Sequence, residues 1–454
     1  MFTNAHNGNC NINPVHTGTT GAIRVGGIHV KGYKGSIIQA DGNRFNIAET
    51  PSAGGTDLWN STTAISTTYS GASLFNGNQA YQAYFEFNSS SDGFIGGDSI
   101  VGGIVPSYAM LIAVPLTIKN GSKFKAPKDE LRIRHNATIE NGDNFDNSHQ
   151  GTVVLSNRSG GLFTRDYYFG AIPDPIHFWN LKVSSAVKTL NFSGGVFVVD
   201  NNYYSSGVLG ILGGASLPFK MNAASNTEMH VKHDIIIANT FNGPTYSSAL
   251  AYGNLLIVMN GGNYDQRIEH TYSNLDFTGN LPALRIEKTN GGNVIIDGPV
   301  TINNFIEFID GLVIPNDAST SQNDLLIPND LFVVNTNCTV LACSDDSYCN
   351  GPIRCRTGKS IELPIGKAGY HPAIIDAITG VNVTNTYTAE YFGATTITGA
   401  TPTSNLQSNL NSVSNCEVWA IQKANTTDSY QMDLSLSFDN SSCTDFYMKI
   451  IANS

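Results

Sequence analysis

The fold of this chain is constrained most strongly by a long succession of short apolar runs separated by Asn, Gly and Asp. No stretch sustains a helical period, and no helix-length pattern stands between the runs, so alternating strand–helix units are not expected. Runs of this length and spacing predict an all-β chain of short strands joined by turns. They include Ala22–Val30, Leu131–Ile139, Val196–Val199, Asp234–Ile237, Leu255–Met259, Asn293–Ile296 and Leu312–Ile314.

An internal echo indicates how these strands are arranged. Phe178–Val183 (FWNLKV) and Tyr272–Phe277 (YSNLDF) are each followed by a polar stretch and then by a Gly-Gly strand, Gly194–Val199 and Gly291–Ile296. Repetition at about 20–30 residues is typical of a parallel β-helix, in which turn asparagines bond to equivalent positions in neighbouring coils. We therefore predict a right-handed parallel β-helix, or solenoid, as a stalk over residues 1–335. An ordinary β-sandwich with accidental similarity is the alternative.

Cysteines mark a second region. Six of the seven follow residue 337, and four of them lie in one short segment, at Cys338, Cys343, Cys349 and Cys355. The paired Cys-x-x-Cys spacing of a zinc site is missing, so two local disulfides are favoured and a metal site is the alternative. Cys416 and Cys443 are expected to pair with each other, which leaves Cys10 free or paired with a neighbouring chain. Disulfides indicate an oxidising, extracellular location.

The last part of the chain has a different pattern. Residues 336–358 form the predicted disulfide-containing connector, and residues 359–454 alternate apolar and polar positions along several strands. Such alternation is typical of half-buried antiparallel strands and predicts a C-terminal antiparallel β-sandwich. The alternating strands are Tyr387–Tyr391, Cys416–Ile421, Met432–Phe438 and Phe446–Ile451.

Composition limits the partners. Only 13% of the 454 residues are charged, the net charge is −11, and the 25 Lys and Arg residues are scattered. No basic cluster points to nucleic acid. An acidic surface can hold Ca²⁺, but no Asp-x-Asp-x-Asp-Gly loop occurs, so no cofactor is predicted. A surface whose polarity comes from Asn, Ser and Thr suits a protein outside the cell.

One uncharged span, Val101–Ile118, is long enough to raise the question of a membrane helix. Its prolines, Pro106 and Pro115, fit strand boundaries rather than a helix, so two short buried strands are expected and no transmembrane segment. The first ten residues lack the basic and apolar regions of a signal peptide. A mature chain or a fragment of a longer one is therefore expected.

Motifs for chemistry are weak. Gly358-Lys359-Ser360 resembles part of a phosphate-binding loop, but the first glycine of that loop would fall at Ile353, and a strand follows instead of a helix. His230 and His233, three apart on a strand, point to opposite faces, which disfavours joint metal binding. A β-helical polysaccharide lyase or hydrolase needs converging carboxylates, and the candidates form no recognisable constellation. These candidates are Asp265, Glu269, Asp276, Glu287 and Asp297.

Two short motifs near the C-terminus carry a family resemblance. Leu363–Gly366 (LPIG) followed by Tyr370–Ala373 (YHPA) is similar to the sequence before the sorting domain of large type IX-secreted surface proteins of Bacteroidota. Family members read Phe-Pro-Ile/Val-Gly, a short turn and Tyr-Arg-Pro. His371 replaces the arginine here. The resemblance covers about residues 170–450, and the first 170 residues match only in style.

The strands that follow extend the resemblance. Val413–Trp419 resembles the Ser-x-x-Glu-Tyr-Trp strand of the family, with Val418 in place of the tyrosine, and Met432–Phe438 resembles its Val-x-Leu-x-Trp strand. Trp419 is the aromatic residue that matches. No sorting domain follows Ser454, as expected of a mature form from which it has been removed or of a truncated chain.

The motif residues also have a structural interpretation that needs no chemistry. Pro364 can end a strand, Gly366 permits a tight turn, and Tyr370 and Pro372 can cap the core of the sandwich. The resemblance implies a secreted cell-surface structural or adhesive protein that contacts the secretion machinery during export. At the surface it would assemble with identical subunits or bind surface glycans or other cells. The alternative is an extracellular polysaccharide-degrading β-helix enzyme, and a phage or viral fibre comes third.

Overall fold

The structure is a computed structural model that describes eight strands before residue 119 and most of the chain's regular segments after it. The later described residues are 124–126, 130–133, 136–148, 150–156, 165–169, 174–185, 189–192, 194–207, 220–223, 226–239, 255–270, 279–298, 300–315, 331–333, 339–357, 359–379, 385–393, 417, 419–423 and 431–437. They fall into two compact units. The first comprises residues 1–233 with 238–255, and the second residues 234–237 with 256–454.

The first unit consists of short strands, and its described residues include one helical element, the 3-10 turn Gly142–Asn144. The strands are β1 Ala22–Val25, β2 Ile28–Lys31, β3 Gly35–Ile37, β4 Arg44–Ile47, β5 Phe85–Asn88, β6 Gly93–Ile95, β7 Ala109–Ile112, β8 Leu116–Ile118, β9 Phe124–Lys125, β10 Glu130–Ile133, β11 Ala137–Ile139, β12 Phe145–Asp146, β13 Thr152–Ser156, β14 Arg165–Phe169, β15 Ile176–Phe178, β16 Asn180–Ser185, β17 Thr189–Phe192, β18 Gly195–Val199, β19 Tyr203–Gly207, β20 Lys220–Ala223 and β21 Thr227–Val231.

Strands that follow one another along the chain lie in different sheets, and every third strand returns to the same sheet. The sheets are β1-β4-β7-β10-β13-β16-β19, β2-β5-β8-β11-β14-β17-β20 and β15-β18-β21, with the pairs β3-β6 and β9-β12. The registered pairs between these strands are parallel. This winding is that of a parallel solenoid, so the predicted all-β class and parallel coils are confirmed, while the right-handed sense stays a prediction.

The coil length follows from the register. Leu131 pairs with Val153, Val153 with Leu181, and Leu181 with Tyr203. Successive coils are therefore 22, 28 and 22 residues long, in the predicted range. The differences between coils are taken up in the turns, because the paired strands stay in register.

Aromatic rings fill the interior of the first unit. Phe178 lies edge-on to Phe145 at 5.3 Å and to Phe169 at 5.5 Å between ring centroids. Phe192 stacks on Phe197 at 5.4 Å. All five side chains are buried. Because each ring comes from a different strand of the stack, these contacts hold successive coils together, and removing one large aromatic side chain from such a core typically costs about 3–5 kcal/mol.

The second unit continues in the same manner and then changes. Its strands are β22 Ile235–Asn239, β23 Leu255–Met259, β24 Gln266–His270, β25 Gly279–Leu281, β26 Ala283–Glu287, β27 Val294–Asp297, β28 Val300–Ile302, β29 Phe305–Asp310, β30 Val313–Pro315, β31 Leu331–Val333, β32 Thr339–Leu341, β33 Ile353–Thr357, β34 Ile361–Leu363, β35 Ala373–Thr379, β36 Asn385–Tyr391, β37 Trp419–Lys423 and β38 Gln431–Leu436.

Its first three sheets are parallel over the strands up to β33. They are β22-β24-β27-β30, β23-β26-β29-β32 and β25-β28-β31-β33. Many of their inner positions are aliphatic, although Gln266 and His270 of β24 are buried polar residues. Ile268, Ile286 and Ile296 are fully buried there. β-Branched side chains suit this position, since they pack well on a pleated surface that is covered on one side.

Antiparallel strands take over at the C-terminal side of the second unit. β33 pairs with β31 in parallel on one side and with β36 antiparallel on the other, and β37 follows β36. A separate antiparallel sheet has the order β34-β35-β38. The predicted change to antiparallel pairing is therefore present. The sandwich arrangement and the predicted domain boundaries stay predictions.

Single bridges extend the stack beyond β30. Val313 is bridged in parallel to Cys349, and Cys349 to Ile365. The Cys349 amide donates to the Pro364 carbonyl at 2.8 Å, and the Gly366 amide donates to the Cys349 carbonyl at 3.1 Å. The bridge at Ile365 makes this part of the LPIG segment a rung of the coil stack, while Leu363 ends β34 of the antiparallel sheet.

A tight turn follows this rung. Gly366 is bridged antiparallel to Tyr370, and the Tyr370 ring packs on Tyr348 at 6.3 Å. A Cβ atom on Gly366 would lie 1.9 Å from the carbonyl oxygen of Gly369. Glycine is therefore required by close backbone approach, as the sequence argument for a tight turn expected.

Two cysteines of the predicted connector do not form the expected disulfides. Cys343 and Cys349 carry thiols, while Cys355 is disulfide-bonded. The buried Cys349 Sγ faces the carbonyl oxygen of Gly351 at 3.5 Å. The prediction of two local disulfides is thus wrong for Cys343 and Cys349, because Cys349 is held inside a coil rung. Cys10, Cys338, Cys416 and Cys443 lie outside the described residues.

The uncharged span 101–118 contains two strands, β7 and β8, with Pro115 immediately before the second. The prediction of two strands is confirmed. No helix within the part of the chain that the structure describes is long and apolar enough to cross a membrane.

The sequence echo, in contrast, aligned positions that are not equivalent. Gly194-Gly195 leads into β18, which precedes the corner at Asn202, whereas Gly291-Gly292 stands at such a corner itself and leads into β27. The two motifs are therefore out of step by one strand. The solenoid was predicted correctly from an echo whose register was wrong, because each coil contains several similar turns.

Candidate functional site

An open cleft on the first unit brings acidic side chains and a histidine together. It has a volume of about 400 Å³ and lies between the turn before β12 and the segment before β15. Its lining residues are Gly142, Asp143, Phe145, Asp146, Asp174, Pro175 and His177.

The cleft forms where a 3-10 turn sits on the next coil. The Asn141 side chain caps the turn by accepting from the Asp143 amide at 3.3 Å. The Gly142 amide donates to the Asp174 carbonyl at 3.2 Å, and a Cβ atom on Gly142 would lie 2.1 Å from the Pro175 carbonyl oxygen. Only glycine permits this approach, which brings Asp143 and Asp174 to one cleft.

A hydrogen-bonded network borders the cleft at His177. Its Nδ1 donates to Asp200 Oδ2 at 3.0 Å, and Asn147 Nδ2 donates to the same oxygen at 3.3 Å. The bond to Asp200 raises the pKa of His177, although burial acts in the opposite direction. Asp146 accepts from the Ser148 amide at 2.8 Å, which fixes its carboxylate near the cleft.

Carboxylates and a histidine are groups that can accept hydrogen bonds from sugar hydroxyls or transfer protons at a glycosidic bond. A metal site is a different matter. The described residues contain no group of three or more His, Cys, Asp or Glu side chains that could hold a metal ion.

None of the acidic residues in the cleft was singled out by sequence reasoning. Asn141-Gly142-Asp143 and Asp174-Pro175 are turn signals. They do not show which turns of a solenoid lie on neighbouring coils. That information comes only from the strand register.

The carboxylates that the sequence did suggest bond from coil to coil. Asp265 Oδ1 accepts from the Asn293 amide at 2.8 Å and from its side chain at 3.2 Å. Arg267 donates to Asp297 Oδ2 at 3.2 Å. Glu269 stands beside Asp297 on the adjacent strand. Asp265 and Asp297 therefore have structural partners in the stack.

The remaining candidates do not join this group. Glu287 lies on β26, in a different sheet from Glu269 and Asp297. Asp276 lies outside the described residues. The structure thus does not bring the five suggested carboxylates to one face.

The two histidines of the His-x-x-His pattern also have separate partners. His230 Nε2 lies 2.9 Å from Glu228 Oε2. His233 Nδ1 lies 2.9 Å from Asn202 Oδ1. The two rings therefore take part in different contacts, but β21 ends at Val231, so His233 lies beyond the strand on which the spacing argument placed it.

An aromatic and acidic cluster connects the two motif regions of the second unit. Trp419 Nε1 donates to the His371 carbonyl at 3.3 Å, and the His371 ring stacks on Tyr391 at 4.2 Å. The Tyr391 hydroxyl donates to Glu417 Oε1 at 3.0 Å. The Pro372 carbonyl accepts from the amide that follows β38. These contacts pack the strands of this part of the second unit together.

Tyr370 belongs to a neighbouring polar contact. Its hydroxyl donates to Glu362, and burial, followed by this bond, raises the pKa of Tyr370. The nearby Cys343 thiol has its pKa raised to about 12, chiefly by burial. A thiol in that state is a poor nucleophile at neutral pH, so this contact does not suggest cysteine catalysis.

Comparisons with family models, with curated proteins and with solved structures found no match to this chain. The resemblance to type IX-secreted surface proteins rests on the quoted motifs alone and stays a prediction.

Proposed function

We propose that this protein is an extracellular structural and adhesive protein whose stacked coils present a largely uncharged polar surface. The observation that carries the proposal is the polar ladder along the coil corners. In the first unit, Asn180 Oδ1 accepts from the Asn201 side chain at 2.9 Å and from the Asn202 amide at 3.2 Å. In the second unit, the Asn293 amide donates to Asp265, and Asn293 Oδ1 accepts a hydrogen bond from the Leu312 amide at 3.3 Å.

This ladder supports a structural role because it fixes each coil to the next through side-chain amides, which in the second unit also bond to the Asp265 carboxylate. Neutral amide bonds are not screened by salt as exposed ion pairs are. Each coil is fixed to its neighbour both by strand pairing and by the corner. A repetitive surface of this kind is suited to display and to contact with surface glycans, other cells or identical subunits.

The proposal is tested by location and binding. An antibody against the chain should label intact cells of the producing organism, and beads coated with the full chain should bind a panel of cells or glycans saturably. Soluble chain should compete, and albumin-coated beads should not bind. Labelling seen only after permeabilisation, or binding equal to that of the albumin beads, contradicts the proposal.

The cleft beside His177 favours a second candidate, a polysaccharide-degrading enzyme. Three carboxylates line it, and His177 is oriented by Asp200. Two carboxylates flanking a glycosidic bond are the usual catalytic requirement for its hydrolysis.

Release of reducing ends or of unsaturated sugars from a panel of polysaccharides tests this candidate. If the cleft is catalytic, Asp143→Asn and Asp174→Asn each lower the rate by at least about 100-fold. Asp265→Asn is the matched control, since this residue bonds at a coil corner away from the cleft lining. Equal activity in all variants contradicts a catalytic cleft.

A further inference from the structure

A lysine in the second unit is completely buried. Lys288 follows β26 and has no exposed surface. Its Nζ donates to the Gly262 carbonyl and to Gln266 Oε1, both at 3.0 Å. A Cβ atom on Gly311 would lie 2.7 Å from Lys288 Cβ, so this glycine lets the next coil pack directly over the stem. The lysine head is thereby directed toward the preceding coil.

The acceptor of this contact is a primary amide that is equally buried. Gln266 is the first residue of β24, points inward and has no exposed surface. Its Oε1 also accepts the Gly261 amide at 2.7 Å. Two donors therefore converge on one amide oxygen, with the amine of Lys288 as one of them.

This arrangement contains the groups of an acyl-transfer reaction. The amine is the nucleophile, the side-chain amide is the acyl donor, and the backbone N–H of Gly261 is placed to stabilise negative charge that develops on the oxygen. Burial excludes the bulk water that would otherwise compete for the acyl group. Holding both groups in one pocket replaces a bimolecular encounter by an intramolecular one.

We propose that Lys288 and Gln266 form an intramolecular isopeptide bond. The Nζ–Cδ bond forms and the Cδ–Nε2 bond of Gln266 breaks. The amide nitrogen leaves as ammonia, or as ammonium when the proton of a charged lysine leaves with it. Atoms and charge balance in both cases, and neither an oxidant nor a cofactor is needed.

The bond joins neighbouring coils at their interior. Residues 266 and 288 are 22 positions apart along the chain, which is about one coil. Unlike the disulfide at Cys355, this crosslink is unaffected by reducing agents. It extends the proposed function but does not rest on it, because an intracellular or catalytic solenoid could carry the same bond.

Mass spectrometry of the full chain tests the proposal. The reduced protein should weigh less than its sequence by the mass of one ammonia molecule. After reduction, alkylation and trypsin digestion, residues 233–267 should be recovered joined to residues 286–354, with cleavage after Lys288 lost. Fragment ions should place the junction at Lys288 and Gln266.

Two variants make the result specific. Lys288→Met and Gln266→Met keep side chains of similar length, and both should abolish the branched product. Gln266→Met should restore trypsin cleavage after Lys288, and Lys288→Met should give residues 233–267 as an unmodified peptide. Asn-Gly sites such as Asn260-Gly261 can also lose ammonia by cyclisation, and that loss persists in both variants. Full-length protein whose two peptides are recovered separately, even after prolonged incubation, overturns the proposal and leaves a hydrogen bond only.

Discussion

A single histidine shows how closely the solenoid interior is packed. His270 is the last residue of β24 and is 6% exposed, yet neither ring nitrogen has a hydrogen-bond partner among the residues that the structure describes. Ile237 lies beside it in register, and a Cβ atom on Gly298 would lie 2.9 Å from its Cβ. Burial lowers the pKa of His270 to about 4. The neutral ring is tolerated there as a space-filling group.

This gives a pH-dependent prediction. Because the folded-state pKa lies below the ordinary value of 6.5, the unfolded chain binds more protons between about pH 4 and 6.5. The contribution of His270 to the free energy of unfolding is complete above pH 6.5 and falls as the pH is lowered through that window. In His270→Leu this part of the pH dependence should disappear, and the variant should be at least as stable as wild type near pH 5.

Denaturant unfolding of both proteins at several pH values between about 4.5 and 7 measures the effect. Parallel pH profiles for the variant and the wild type would show that His270 does not titrate as argued.

At the scale of elements, the turns determine the stack as much as the strands do. Asn293 uses its side chain in both directions, donating to Asp265 and accepting from the Leu312 amide. Asn293→Ala should lower the free energy of unfolding by about 1–2 kcal/mol, because a backbone amide and a carboxylate lose that partner. Asn290→Ala, in an exposed turn nearby, should change it by less than about 0.5 kcal/mol.

Urea unfolding compares these two variants with the wild type. If Asn293→Ala and Asn290→Ala lower the free energy of unfolding by the same amount, the ladder does not stabilise the coils.

A second element, the turn after the last rung, depends on one glycine. In Gly366→Ala the new Cβ would lie 1.9 Å from the Gly369 oxygen and 2.7 Å from the Tyr348 ring. We expect a loss of about 3 kcal/mol or more, since backbone has to move.

Gly291→Ala is the matched control for this turn. Its Cβ would meet no atom within 4 Å, and its φ of +86° accounts for an expected loss of about 1–2 kcal/mol. Thermal unfolding ranks the stabilities of the two variants. If Gly291→Ala is destabilised more than Gly366→Ala, the backbone around Gly366 can accommodate a Cβ atom and the prediction is wrong.

At the scale of the whole molecule, the all-β class and the parallel coils could be predicted from the sequence, but the positions of the coil corners could not. Leu255–Met259 was predicted as one run and is one strand, β23. Leu131–Ile139 was also predicted as one run, but it is two strands in different sheets, β10 and β11. The corner between them has no Gly or Pro, and Asn136 there accepts from the Asp166 amide of the next coil. A bend stabilised by a neighbouring coil has no local signal.

The same reason explains why the candidate site was missed. Asp143 and Asp174 are 31 positions apart, and only the stacking of one coil on the next brings them to one cleft. Lys288 and Gln266 were missed because a lysine is expected at the surface. The signal available for both pairs was a separation of about one coil, which becomes informative only after the register is known.

The register has a consequence for how such a chain can change over generations. Leu181 and Tyr203 occupy successive rungs of the same sheet, and each rung bonds only to the rungs beside it. A segment of one coil can therefore be duplicated or lost as a cassette, with the flanking rungs meeting in the same register. Length in this molecule is a variable that selection can adjust in steps of one turn of the winding, without redesigning the interior.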